Sequence, residues 1–185
     1  MTRRTSSRSL PVTLLVGLTL TLGVVSTASA SASASAAVHP AAHPSKHPAR
    51  ATTLTPTQFE VKVLSLINTR RKKIHCRALT ASAALGKAAR DHTRLMATDG
   101  DLSHQLPGEL GLAQRIQRDG YKNWTYLAEN VAWGGTTPNA VFQMWMHSAA
   151  HRANLQHCSL HNIGVGVVRG GGSTWVTADF GSRRH

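Results

Sequence analysis

Acidic residues are scarce in this chain. Eight Asp and Glu stand against 21 Lys and Arg over 185 residues, a formal charge of +13 at pH 7. A balance that basic invites a nucleic-acid or anionic-surface partner. Length is limited too, and 185 residues leave no room for two full-sized domains. No internal repeat is visible in the folding part, and beyond the N-terminal segment there is no second long hydrophobic run. The mature protein is therefore expected to be soluble outside the membrane rather than embedded in it. Cysteine is limited to Cys76 and Cys158, and no cysteine lies near residue 30, which argues against a lipid-anchored lipoprotein. What is present is a chain 41% hydrophobic with four Trp, too apolar to be wholly disordered and equipped for a real core.

Residues 1–30 read as an export signal. Arg3, Arg4 and Arg8 make a positive head, Leu10 to Val25 is a Leu- and Val-rich run, and Ala28-Ser29-Ala30 offers the small-x-small cleavage pattern. The run is short for a membrane span of roughly 20 residues, and no basic stop-transfer cluster follows it. Residues 31–53 are Ala, Ser, Pro and His, with His39-Pro40, His43-Pro44 and His47-Pro48 repeating every four residues. Prolines so spaced favour an extended tether, although a His-rich tract also has the composition to collect metal. Without Arg3, Arg4, Arg8, Lys46 and Arg50, 16 basic residues face eight acidic ones, or +8, spread over helix ends. Export and that dispersion argue against nucleic acid as a partner.

The folding part spans residues 54–185. Thr55-Pro56-Thr57-Gln58 is a capping box with proline at the first helical position. Phe59, Val63, Leu66 and Ile67 then recur at helical spacing as far as Lys73. Arg70-Arg71-Lys72-Lys73 reads as a solvated helix end, where cations complement the dipole. Thr80 is placed to cap a second helix ending at Asp99-Gly100, with His92 on its apolar face as a satisfied core histidine. A third helix is expected over Glu109–Arg118. A fourth starts at Thr136-Thr137-Pro138, with Val141, Met144, Trp145 and Ser148 facing inward. A strand preceding Trp133, then Ile163–Arg169 and Trp175–Phe180 joined by a tight Gly170-Gly171-Gly172 turn, complete an α+β pattern.

Two cysteines in an exported domain read as one disulfide, Cys76 to Cys158. His147 and His151 stand at i and i+4, the spacing of a zinc-protease helix, but Ser148 holds the place of the general-base Glu. Glu129 sits between Leu127 and Val131 in apolar surroundings, where a carboxylate needs a partner or a proton. His104 and His151 are the candidate partners. His157 and His161 flank Cys158 without a recognised metal pattern, and Asn123-Trp124-Thr125 is a glycosylation sequon only in a host with that machinery.

Several segments occur together in order: LSLINTRR at 64–71, AARDH at 88–92, LSH at 102–104, AENVAWG at 128–134, MWMHSAAHRANL at 144–155, IGVGV at 163–167 and DFG at 179–181. Together they closely resemble the bacterial branch of the CAP superfamily, which groups cysteine-rich secretory, antigen 5 and pathogenesis-related proteins. The resemblance implies a secreted α-β-α sandwich: a small antiparallel sheet flanked by about four helices, with a large central cleft. The family's cleft His and Glu map onto His104 and Glu129, with Asn130 in the same element. The bacterial His-Arg-x-Asn stretch maps onto His151, Arg152 and Asn154. Ser148 and the Leu160-His161-Asn162 stretch stand where eukaryotic members carry a second acid and a second histidine, so that four-residue set is incomplete here. Some members bind zinc, and His104, Glu129 and His151 make a candidate open set for zinc or another divalent cation, with no cofactor required. The implied function is ligand binding in the cleft, with a small apolar or lipid-like ligand. The alternatives are a metal-dependent hydrolase with Glu129 as base, against which the lack of a nucleophile motif weighs, and a module holding anionic cell-envelope polymers.

Overall fold

A computed structural model describes residues 53–170 and 173–184. The expected export signal, nearly all of the tether, and Gly171 and Gly172 of the hairpin lie outside the described residues. Thr55 caps helix α1 (Pro56–Lys73) through the capping box its sequence announces, accepting from Gln58 N–H while Gln58 Oε1 takes the Thr55 N–H. Phe59, Val63 and Ile67 form its fully buried stripe. The next segment differs from expectation. Thr80–Ala81 is a two-residue strand, β1, and Ser82 rather than Thr80 caps helix α2 (Ala83–Asp99). Thr80 N–H and Ser82 N–H are taken by the His161 and Ile163 carbonyls, so Thr80 is held in the sheet. Gly100, at φ +69°, closes α2 in the left-handed conformation favoured by glycine. Helix α3 (Leu112–Arg118) begins after Gly111, not at Glu109, whose side chain has other work.

Strand β2 (Trp124–Trp133) is followed by α4 (Pro138–His147), capped by Thr137. The single fourth helix then breaks. Ser148 is extended (φ −92°, ψ 124°), and its hydroxyl caps a separate α5 (Ala149–Gln156). His147 and His151 therefore belong to two helices, and the i, i+4 face expected of them does not exist. Met144 is exposed, while Val141 and Trp145 face inward as expected. Strands β3 (Asn162–Gly170) and β4 (Ser173–Arg183) pair antiparallel, Gly170 opposite Ser173.

The sheet order is β1-β3-β4-β2, antiparallel throughout its long strands and parallel only at the β1–β3 edge. Cross-strand partners share a face. One face carries Ala128, Ala132, Val176, Ala178, Phe180, Ile163, Val165 and Val167, packed in one core with Phe59, Val63 and Ile67 of α1, Trp145 of α4 and Leu155 of α5. The other carries Glu129, Val131, Thr177, Asp179, Gly164 and Gly166, under α2 with α3 beside it. This is the expected α-β-α sandwich, with five helices. Glycine is required where α2 meets β3: a Cβ on Gly164 would lie 2.0 Å from Gly86 N.

Cys76 and Cys158 are bonded across 82 residues, as expected. Arg71 corrects the reading of the basic helix end. It is fully buried, and its guanidinium donates to the carbonyls of Arg77, Leu155, His157 and Leu160, tying α1 to the turn after α5. Among the described residues no helix is long and apolar enough to cross a membrane.

Candidate functional site

The site forms where β2 is the outer strand of the sheet. Strand alternation puts Glu129 on the α2 face, and its side chain is almost completely buried. His104, on the loop after α2, donates from Nδ1 to Glu129 Oε1 at 2.8 Å. Arg115 of α3 is equally buried and donates to Glu129 Oε2; its Nη1 also donates to the His104 and Leu110 carbonyls at 3.2 and 3.4 Å. His92 is the satisfied core histidine the sequence suggests. Its Nδ1 meets Glu109 at 2.8 Å and its Nε2 meets the Ser103 carbonyl at 3.0 Å, so both ring nitrogens face oxygen atoms. Its Nε2 also lies 3.8 Å from Glu129 Oε2.

Burial alone would push Glu129 up. The His104 hydrogen bond and the charges of Arg115 and His92 outweigh it and hold the carboxyl below its ordinary value. Directly across the sheet, Asp179 is wholly buried beside Glu129. Among the described residues neither of its carboxyl oxygens has a hydrogen-bond partner. Burial first, and then the Glu129 charge, raise it well above the usual carboxylate range. Asp179 therefore holds its proton to a higher pH than a free carboxyl does.

His104 is driven up by its bond to Glu129, against the opposing effect of burial. Its side chain remains 60% exposed. His151, at the start of α5, places its ring centroid 6.4 Å from that of His104. Burial, and then the His104 charge, lower it, so His104 holds its proton to a higher pH than His151 does. The other expected cleft residues do different work. Asn130 lies on the opposite face of the sheet from Glu129; it donates to the His151 carbonyl, and Asn154 bridges the Glu129 carbonyl and Asn130 Oδ1. Arg152 donates to the Met146 carbonyl across the α4–α5 break.

The metal expectation meets a donor set that does not fit it. One Glu129 oxygen takes an imidazole N–H and the other a guanidinium, and His151 does not reach the carboxylate. Among the described residues no group of three or more His, Cys, Asp or Glu is arranged to hold a metal ion. His104 and Glu129 are thus a hydrogen-bonded pair with a fixed imidazole, and His151 stands beside them. The His104 Nδ1 is committed inward, and its Nε2 edge is available to a ligand. Among the described residues no Ser, Thr or Cys side chain hydrogen-bonds to either ring.

Sequence pattern alone does not mark Asp179, Arg115 and Glu109 as site residues. Asp179 had a readable signal, an acid inside the otherwise uncharged run Trp175–Phe180. Arg115 and Glu109 had none, because their roles depend on α3 folding back over α2.

The family model described as the cysteine-rich secretory protein family, CAP, matches residues 64–180. A Bacillus subtilis protein named YkwD, itself uncharacterised, is 32% identical over 133 residues, covering 70% of this chain. This chain spans about half (51%) of that relative's length. Among solved structures, an extracellular SCP-domain protein of Bacillus anthracis is 25% identical, with a TM-score of 0.63 over 72% of this chain and 45% of its own. An outer surface protein of Borrelia burgdorferi is 21% identical, with a TM-score of 0.65 over 71% of this chain and 97% of its own, and so shares the fold. With the sandwich, the bridged cysteines and the ordered segments in place, this chain belongs to the cysteine-rich secretory protein (CAP) family.

Proposed function

We propose that the chain is an exported binding module whose cleft takes an amphiphilic, lipid-like ligand by its polar head. The observation that carries this reading is the orientation of His104: a buried carboxylate fixes one ring nitrogen while most of the side chain stays in solvent. A buried Glu–Arg pair is costly to assemble. Here it supports an exposed donor whose affinity for protons is raised, which suits an anionic or strongly accepting head group. His151, whose affinity for protons is lowered by burial, supplies a neighbour whose neutral ring can accept or donate. Exposed Leu102 and Leu110 give the apolar part of the ligand a rim, Leu110 being tied through its carbonyl to the same guanidinium nitrogen as His104.

The test is a calorimetric titration with lysophosphatidylglycerol below its micelle concentration, with glycerol phosphate as the head group alone. The lipid binds, the head group binds far more weakly, and His104→Ala lowers lipid affinity at least about tenfold, or roughly 1.4 kcal/mol. Undiminished binding by His104→Ala, or none by the unaltered protein, refutes the reading.

A further inference from the structure

The eight acidic residues are unevenly placed. Six of them, Glu60, Asp91, Glu109, Asp119, Glu129 and Asp179, are engaged with the α2–α3 side or the core beneath it. No acid occurs between Val61 and Arg90, or between Asn130 and Ala178. The C-terminal half of α1 and the loop after it therefore carry uncompensated charge. A cavity of about 730 Å³ opens there, lined by Lys72, His75 and Arg77 together with Ser65, Thr69 and Cys76. The side chains of Lys72 and Arg77 make no ion pair among the described residues. Thr69 also lines a second groove of about 320 Å³ on the other flank of α1, to which Arg70 and Lys73 contribute. The two grooves thus border the last turns of one helix, with cations on both sides.

We infer that this face is a second binding site, for a linear phosphate-bearing polyanion. Three observations favour a polymer over a single anion or a flat surface. The first cavity far exceeds the size of one phosphate. A second basic groove adjoins it across Thr69, so successive anionic groups along a chain can meet cations in turn. The cations line recesses, whereas a bilayer meets side chains that protrude. The disulfide holds the site in place, since Cys76 sits between His75 and Arg77 and is fixed to the segment after α5. Nothing here depends on the His104 cleft. The site takes up the charge left over once Arg71 is withdrawn into the core.

The experiment measures binding of three probes as a function of salt: a sodium polyphosphate long enough to span both grooves, inorganic phosphate, and phosphatidylglycerol vesicles. Two variants are compared at equal loss of formal Lys and Arg charge. One is Lys72→Gln/His75→Asn/Arg77→Gln, with asparagine at 75 because that residue sits at φ +58°. The other is Arg94→Gln/Lys122→Gln, on the opposite side. Polyphosphate is expected to bind in preference to both other probes. The groove variant should lose at least tenfold in affinity, with the salt slope shallower by about two, and the control should lose less than twofold. Equal losses in both variants, or vesicles preferred to polyphosphate, would overturn the assignment. So would inorganic phosphate binding as tightly as the polymer. Circular dichroism of both variants separates loss of binding from loss of fold.

Discussion

Replacing Glu129 by glutamine keeps its shape and removes its charge, which probes the buried assembly directly. Arg115 and Glu129 each leave only about 2% of the side chain exposed. Deleting one partner of such a pair costs about 3–5 kcal/mol, because the other charge stays buried. Two neighbours reduce that figure. A Glu109 oxygen lies 3.9 Å from Arg115 Nη1, a separation worth up to about 4 kcal/mol at an effective dielectric constant near 20. Asp179 is the second. Burial and then the Glu129 charge raise it, so neutralising residue 129 makes Asp179 easier to ionise, as an anion that can face Arg115 in its place. Glu129→Gln should therefore cost only about 2–3 kcal/mol. Urea unfolding at pH 7, followed by Trp fluorescence, would show this as a midpoint lowered by roughly 1–2 M. Asp179→Asn alone should be neutral or stabilising. The native state holds a proton there that the unfolded chain releases above about 3.8, so wild-type stability falls as pH rises past that value, and asparagine removes the effect. The double variant should lose at least about 1 kcal/mol more than the two single effects predict, because the substitute anion is gone. Additivity within about 0.5 kcal/mol would refute the exchange of charge between these carboxyls.

Three further outcomes follow from other parts of the molecule. Cys76→Ala/Cys158→Ala opens an 82-residue separation and should lower stability by about 4–5 kcal/mol in the chain-entropy account, read as a loss of thermal midpoint matched by reducing the wild type. Gly164→Ala should cost at least about 3 kcal/mol, since its Cβ would meet α2 backbone at 2.0 Å. Gly170→Ala, with nothing within 4 Å, should be nearly neutral in the same melts. In NMR titrations His104 should give up its proton above 6.5 and His151 below it. The His104 contribution to stability is then complete below 6.5 and fades as pH rises through its raised value, and Glu129→Gln should return its titration toward 6.5.

Local signals were legible wherever one segment decides its own structure. The Thr55 capping box, the Thr137-Pro138 helix start and the two apolar runs flanking Gly170 each appear as read. Elements were misjudged where a distant partner competes. Thr80 has a cap's chemistry, yet its backbone is taken by β3, and Ser82 does the capping. The His147–His151 spacing suggested one helical face, but Ser148 ends one helix and caps the next. Met144 has an inward position by periodicity yet is exposed, because α4 buries only a narrow stripe.

The site divides along the same line. Sequence by itself determined the family, the cysteine pair, and that Glu129 needs a partner, since a lone acid in an apolar strand admits few solutions. Which partner it takes was decided only by the fold. Sheet register sets Asp179 opposite Glu129, and strand alternation sends Asn130 to the other face. The packing of α3 brings Arg115 to the carboxylate, which turns a candidate metal set into an ion-paired support for His104. Arg71, one of four consecutive cations, is buried while Arg70 is only half-buried and Lys72 and Lys73 are exposed, for the same reason. A side chain's charge is written in the sequence, but the dielectric around it and the groups that meet it belong to contacts between residues far apart in the chain.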